Sequence, residues 1–134
     1  GAVIAQLGLP DMKIPIQYAL TYPERLPMRG EKLSLTSIGE LTFYKPDMEK
    51  FKCLQLAFRA LYMGDSACVV LNGANEEAVK LFLSGKISFP DIGNLIEKTL
   101  DKHEIIENMN IEEVSELDRW SRETLTYLYE TGCK

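Results

Sequence analysis

Histidine is nearly missing from this sequence: among 134 residues there is one, His103. Any mechanism built on a Cys–His or Ser–His pair must use it or fail. Cysteine is sparse and odd in number, with Cys53, Cys68 and Cys133 and no CxxC pair. That spacing offers neither a disulfide framework nor a zinc site. Cys53 and Cys68 sit among apolar residues and are expected to behave as small core hydrophobes in a reducing compartment. No apolar run approaches the roughly 20 residues of a membrane helix. Nothing at the start reads as a signal peptide. Gly1 leads straight into an apolar run without an initiator Met, so the chain is expected to be a piece of a longer polypeptide.

Charge is short on one side. The net charge is −5, from about +1 over residues 1–52 and −6 over residues 53–134. An acidic C-terminal part argues against nucleic acid, which needs a basic face to neutralise phosphates, and against anionic membrane surfaces. A solvated acidic helix face accounts for it, with Glu112, Glu113 and Glu116 as members.

Residues 2–7 (Ala-Val-Ile-Ala-Gln-Leu) form a short β-prone run ended by Gly8 and are expected to be a strand. Gly8-Leu9-Pro10-Asp11 has turn chemistry. Pro15 suits a first helical turn, and Ile16 to Leu20 read as a short helix stopped before Pro23. Residues 21–46 carry Pro23, Pro27, Gly30, Gly39 and Pro46, with no sustained helical period, and read as a linker arm containing a short extended piece at Leu41-Thr42-Phe43. A structureless stretch of that length is better explained as a connection between domains than as a loop inside one.

From about residue 48 the period becomes helical. Phe51, Leu54, Phe58 and Leu61 define one face, with Gly64 as the stop. Ala67, Val70, Leu71, Ala74, Ala78, Leu81 and Phe82 define a second stripe ended by Gly85, and Leu71 is expected in the core. Ser88 with Asp91 opens a third helix through an imperfect capping box. Its stripe is Phe89, Ile92, Leu95, Ile96 and Leu100. Asn110 with Glu113 opens a fourth. There Ile111, Val114, Leu117 and then Trp120, Thr124, Tyr127, Leu128 lie at different angles, which predicts a break near Asp118. Four antiparallel helices with short connections make a bundle. No internal repeat is visible.

A strand beginning at residue 2 cannot be a sheet by itself; alone it is expected to be disordered or paired with its copy in another chain. It adjoins residues with a family likeness. Gly1-Ala-Val-Ile-Ala-Gln-Leu-Gly8, Pro10-Asp11-Met12-Lys13 and Pro15-Ile16 resemble a signature of 1-deoxy-D-xylulose 5-phosphate reductoisomerase. So do Leu41-Thr42-Phe43 with Pro46-Asp47 and Cys53-Leu54, and Leu71-Asn72-Gly73-Ala74-Asn75-Glu76 with Ala78-Val79 and Phe82-Leu83. The three blocks keep the family's order over nearly the whole chain and match its C-terminal portion. Two positions depart: Lys52 stands where the family usually has Pro, and Gly73 where it usually has Ala.

The resemblance implies a mainly α chain: a C-terminal four-helix bundle-like domain preceded by a linker arm and a strand-turn-helix remnant of an α/β catalytic domain. The expected bounds are 1–22 for the end of the catalytic domain, 23–47 for the arm and 48–134 for the helical domain. It implies an enzyme that, at full length, converts 1-deoxy-D-xylulose 5-phosphate to 2-C-methyl-D-erythritol 4-phosphate in non-mevalonate isoprenoid biosynthesis, with NADPH and a divalent metal, Mg or Mn. It also implies upstream catalytic and NADPH domains on the same polypeptide, a homodimer, no nucleic acid and no membrane. The location expected is cytoplasmic, with a plastid source left open. The residues themselves show no Gly-rich strand-turn-helix for a dinucleotide and no carboxylate cluster for a metal. No catalytic residue, no metal ligand and no bound cofactor are therefore expected in this piece. The rival class is a non-enzymatic helical interaction module. The orphan strand separates the two, since a self-sufficient module has no use for it.

By resemblance, Pro10, Asp11 and Met12 wall the nicotinamide and substrate pocket. An apolar Pro/Met wall excludes water and fixes a ring face; otherwise they are only a turn that packs. Asn72, Asn75 and Glu76 look catalytic, but amides buried in mid-helix need hydrogen-bond partners. Their expected role is structural: capping a neighbouring helix or pinning the linker backbone. His103 is expected in a solvated position favourable to a helix dipole, and Trp120 in the core. Arg25, Arg29 and Lys32 can meet a phosphate but are more simply a mobile basic linker.

Overall fold

The computed structural model describes residues 2–28 and 30–132. Arg29 and Cys133, singled out above, lie outside the described residues. The chain divides into two compact units, Gly1–Tyr44 and Lys45–Lys134.

In the first unit, α1 spans Lys13–Thr21 and α2 is a single turn, Leu35–Ile38. Pro15 falls in the first turn of α1, where its missing N–H costs no helical bond. The segment after α1 folds back on it. Gln17 Nε2 donates to the Leu26 carbonyl at 3.2 Å and the Thr21 hydroxyl to the Glu24 carbonyl at 2.8 Å. The Arg25 guanidinium sits 4.3 Å above the Tyr18 ring. Residues 2–9 have no ladder, and no strand occurs among the described residues. The strand expected at 2–7 is thereby corrected, while Leu41-Thr42-Phe43 lie outside any helix or ladder. A strand is held by a partner's hydrogen bonds, and none is supplied among the described residues.

The second unit is a four-helix bundle: α3 (Lys52–Met63), α4 (Asp65–Leu83), α5 (Phe89–Asp101) and α6 (Ile111–Glu130). The helices run up and down in turn. α4 and α5 form the central pair, with α3 and α6 flanking them on separate sides. Gly64 alone joins α3 to α4 at φ +123°, a conformation open essentially to glycine. Gly85 ends α4 at φ +73° while the Lys86 N–H reaches back to the Leu81 carbonyl at 3.0 Å, as in the glycine-terminated helix ends of many proteins.

The start signals work through their side chains. Ser88 gives both its N–H and its hydroxyl to Asp91 Oδ2, at 2.9 and 2.6 Å. Asn110 and Glu113 exchange reciprocal bonds of 2.8 and 2.9 Å, which satisfies two helix-end donors at once. Lys52 has its own work at the start of α3. Its stem lies on Gly93, and its Nζ reaches Asn94 Oδ1 at 2.9 Å and Glu97 Oε2 at 2.6 Å on α5.

The core is Leu56 and Ala60 from α3, Ala67, Val70, Ala74, Ala78 and Leu81 from α4, Ile92, Leu95, Ile96 and Leu100 from α5, and Leu117, Leu125 and Leu128 from α6. Small residues on α4 let two neighbours approach it closely. Three expectations change. The Phe51–Leu54–Phe58–Leu61 face of α3 is exposed, and Leu56 and Ala60 are buried in its place. Leu71 is only half-buried, beside the core. α6 is continuous through Asp118, because its inward stripe runs Leu117, Ser121, Leu125, Leu128. Ser121 is the polar step that hid that register. Cys53 is exposed, while Cys68 packs partly against the core.

Candidate functional site

Asp11 shapes the turn before α1. Its Oδ1 accepts the Lys13 N–H at 2.9 Å, its carbonyl accepts Ile14 N–H at 3.2 Å, and its Oδ2 lies 3.7 Å from Lys13 Nζ. One carboxylate oxygen is thus engaged in starting the helix. Pro10 and Met12 flank it, both exposed, Met12 at 71%. Under α1, Ile14, Tyr18, Leu26 and Met28 line a cleft of about 100 Å³, far below the several hundred Å³ of a cofactor pocket.

Asn72 and Asn75 lie exposed on α4, so neither bears the burial cost that the sequence argument assigned to them. Asn72 Nδ2 donates to Glu76 Oε1 at 3.4 Å. Glu76 Oε2 accepts from Arg122 at 2.6 Å, and Arg122 Nε donates to Asp118 Oδ2 at 2.8 Å. Glu76 therefore ties α4 to α6. The hydrogen bonds that it donates to Asp118, then to Glu76, push the Arg122 guanidinium further above its ordinary range, so it stays charged. Sequence reasoning missed this cluster, although Asp118 and Arg122 carry the i,i+4 signal of a helical ion pair. The groups are partly exposed and their net stabilisation is small.

His103 is half-buried and tied into the bundle rather than free in solvent as expected above. The fully buried Ser66 hydroxyl accepts the Ile106 N–H at 3.0 Å and lies 2.9 Å from His103 Nε2. A neutral imidazole with its proton on Nδ1 accepts the Ser66 hydroxyl proton there, and one with its proton on Nε2 donates to the hydroxyl oxygen instead; the protonated ring can only donate. Trp120 packs alongside, ring centres 6.0 Å apart, and is partly buried against the core. Desolvation lowers the His103 pKa below its ordinary 6.5, against an opposing pull from Glu104. The folded state therefore binds fewer protons than the unfolded chain just below pH 6.5. Stability from this site is complete above the unfolded value and is lost as pH falls through the folded one. Thermal melts between pH 7.5 and 5.5 should fall more steeply for the wild type than for His103→Gln, and parallel slopes would remove His103 as the cause.

An open groove of about 580 Å³ runs past His103, Trp120 and Leu117, but Glu104, Glu113 and Glu116 line it. With Lys102 as the one lysine beside these three carboxylates, the lining is net acidic and disfavours a phosphate or a dinucleotide. Among the described residues no three His, Cys, Asp or Glu side chains come together as a metal site. No step through a metal or nicotinamide is assigned to these residues. Among the described residues no helix is long and apolar enough to cross a membrane.

The family model for the DXP reductoisomerase C-terminal domain matches residues 7–124. The chain belongs to the DXP reductoisomerase family. It is mainly helical and corresponds to the C-terminal portion of these proteins. It is 56% identical over 124 residues to the 1-deoxy-D-xylulose 5-phosphate reductoisomerase of Trichlorobacter lovleyi, covering 92% of this chain and 32% of that protein. The Citrifermentans bemidjiense reductoisomerase is 52% identical over 133 residues, 99% of this chain and 34% of the relative. The chain thus spans about a third of the length of the curated relatives it matches.

Among solved structures, the Zymomonas mobilis reductoisomerase in complex with NADPH superposes with a TM-score of 0.78 at 38% identity, covering 97% of this chain and 34% of that one. A DOX-P reductoisomerase in complex with NADPH, fosmidomycin and magnesium gives 0.71 at 37% identity, covering 97% and 34%.

Proposed function

We propose that this chain serves a reductoisomerase that converts 1-deoxy-D-xylulose 5-phosphate to 2-C-methyl-D-erythritol 4-phosphate, with NADPH and a divalent cation, in non-mevalonate isoprenoid biosynthesis. The observation that carries the reading is the family match over residues 7–124 together with 56% identity to a relative of that name. NADPH would supply the hydride, and the metal would polarise the substrate oxygens. Both sites belong to the upstream two thirds of such a polypeptide, which acts as a cytoplasmic homodimer.

Within this chain, residues 1–22 end the catalytic domain, 23–47 form the connecting arm, and 48–134 form the helical domain. The exposed Pro10 and Met12 supply an apolar wall to the nicotinamide and substrate pocket. Asp11 positions them by holding the start of α1. Asn72, Asn75 and Glu76 are structural, with Glu76 holding α4 against α6. The purified 134-residue chain is expected to give no NADPH oxidation above background with the ketose phosphate and Mg²⁺ or Mn²⁺. Turnover by the chain alone would overthrow this placement of the chemistry.

A further inference from the structure

α3 is apolar on two opposite sides. Leu56, Ala60 and Met63 share the side that packs into the bundle, and the stem of Lys52 continues it. At 3.6 residues per turn, Leu54, Phe58, Leu61 and Tyr62 form a second stripe on the far side. Their exposures are 37, 45, 64 and 85%. The stripe holds no charged residue. Arg59, at its edge, is paired with Asp101 on α5 at 2.6 Å.

The other flanking helix provides the contrast. α6 also packs on one side only, and although Ile111 and Tyr127 are exposed on it, they stand among Glu112, Glu116, Arg119, Glu123 and Glu130 rather than forming an uncharged stripe. That is how a flanking helix facing water is built. α3 has the same place in the bundle and the opposite outer surface. A contiguous apolar patch of this kind marks an interaction site.

We propose that the outer face of α3, centred on Phe58 and Leu61, docks against the upstream two thirds of the same polypeptide, on an apolar, uncharged counter-surface. The proposal rests on the reductoisomerase reading above. Two observations select this occupant over a second copy of the chain. The relatives are about three times as long as this chain, which covers 32% of the Trichlorobacter lovleyi protein. The face is also small: α3 has 12 residues, about 18 Å of helix at ~1.5 Å per residue. A stable two-chain interface needs at least ~1,200 Å² of total burial, more than this stripe offers. Docking within one polypeptide manages with less, because the connecting arm keeps the local concentration high.

The test joins the upstream part of the Trichlorobacter lovleyi enzyme to this chain in place of its matching segment. Phe58→Glu/Leu61→Glu is then compared in the joined protein and in the 134-residue chain. The melting midpoint should drop by about 4 °C or more in the joined protein and by less than about 1 °C in the chain alone, where both positions already face water. Equal shifts in the two contexts, including none in either, overturn the proposal. So does a dimer of the isolated chain in sedimentation that the double variant dissociates, which would make a second copy the occupant. NADPH oxidation by the unsubstituted joined protein reports on the reductoisomerase reading separately. An active joined protein with equal shifts sinks only the docking face. An inactive one with a shift confined to the joined form sinks only the activity.

Discussion

Leu95→Ala should lower the stability of the bundle by ~2–5 kcal/mol. Leu95 is 0% exposed on α5, which, like α4, touches the other three helices of the bundle. Truncation removes its transfer free energy and leaves a cavity. The surrounding helices cannot collapse into it without disturbing the three packed neighbours. Leu83→Ala is the internal control: Leu83 is 78% exposed, so its loss should change stability by less than ~0.5 kcal/mol. Leu71→Ala belongs between the two, because Leu71 is half-buried beside the core. Denaturant titration of the three variants measures the order directly. A Leu95→Ala midpoint equal to that of Leu83→Ala would displace α5 from the centre of the bundle.

The positions where sequence reading held and where it failed have separate physical causes. Helix ends were legible because their signals are local. Gly64 and Gly85 take positive φ where the pattern places stops, and the Asn110–Glu113 bond spans three residues. The inward face of α3 was illegible because the helix carries two apolar stripes, and periodicity cannot say which one meets the bundle. The continuity of α6 was hidden by Ser121, a polar residue on a buried stripe, whose reason lies on another helix. His103 was misread because its partner Ser66 is 37 residues away. The strand expected at 2–7 required hydrogen-bond partners that no amount of β-propensity supplies. Of the candidate site, the turn chemistry of Asp11 was readable from Gly8-Leu9-Pro10-Asp11, since the bond to Lys13 N–H spans only two residues. The Glu76–Arg122–Asp118 cluster needed the packing of α4 on α6.

Gly73→Ala tests that packing at its tightest point. A Cβ at residue 73 would lie 2.1 Å from Ser121 Oγ, 2.8 Å from Asp118 Oδ1 and 3.1 Å from the Asp118 carbonyl. Ala would otherwise be favoured in mid-helix over Gly by ~1 kcal/mol. Here the overlap outweighs that gain, because overpacking a close contact costs ~1–3 kcal/mol and the same shift strains the Arg122 bridge to Glu76. A net loss of ~1–2 kcal/mol is expected from these opposing terms. The family residues quoted above usually have Ala here, so the facing residue should decide whether it is tolerated. Ser121→Ala removes the atom at 2.1 Å and, separately, a 2.7 Å hydrogen bond to the Asp118 carbonyl. The double variant should therefore be more stable than the two single losses added together, by about 1 kcal/mol or more of coupling. Urea unfolding of the four proteins closes the cycle. Strict additivity would mean that α4 and α6 do not meet at Gly73 and Ser121, and the parallel seam between them would have to be redrawn.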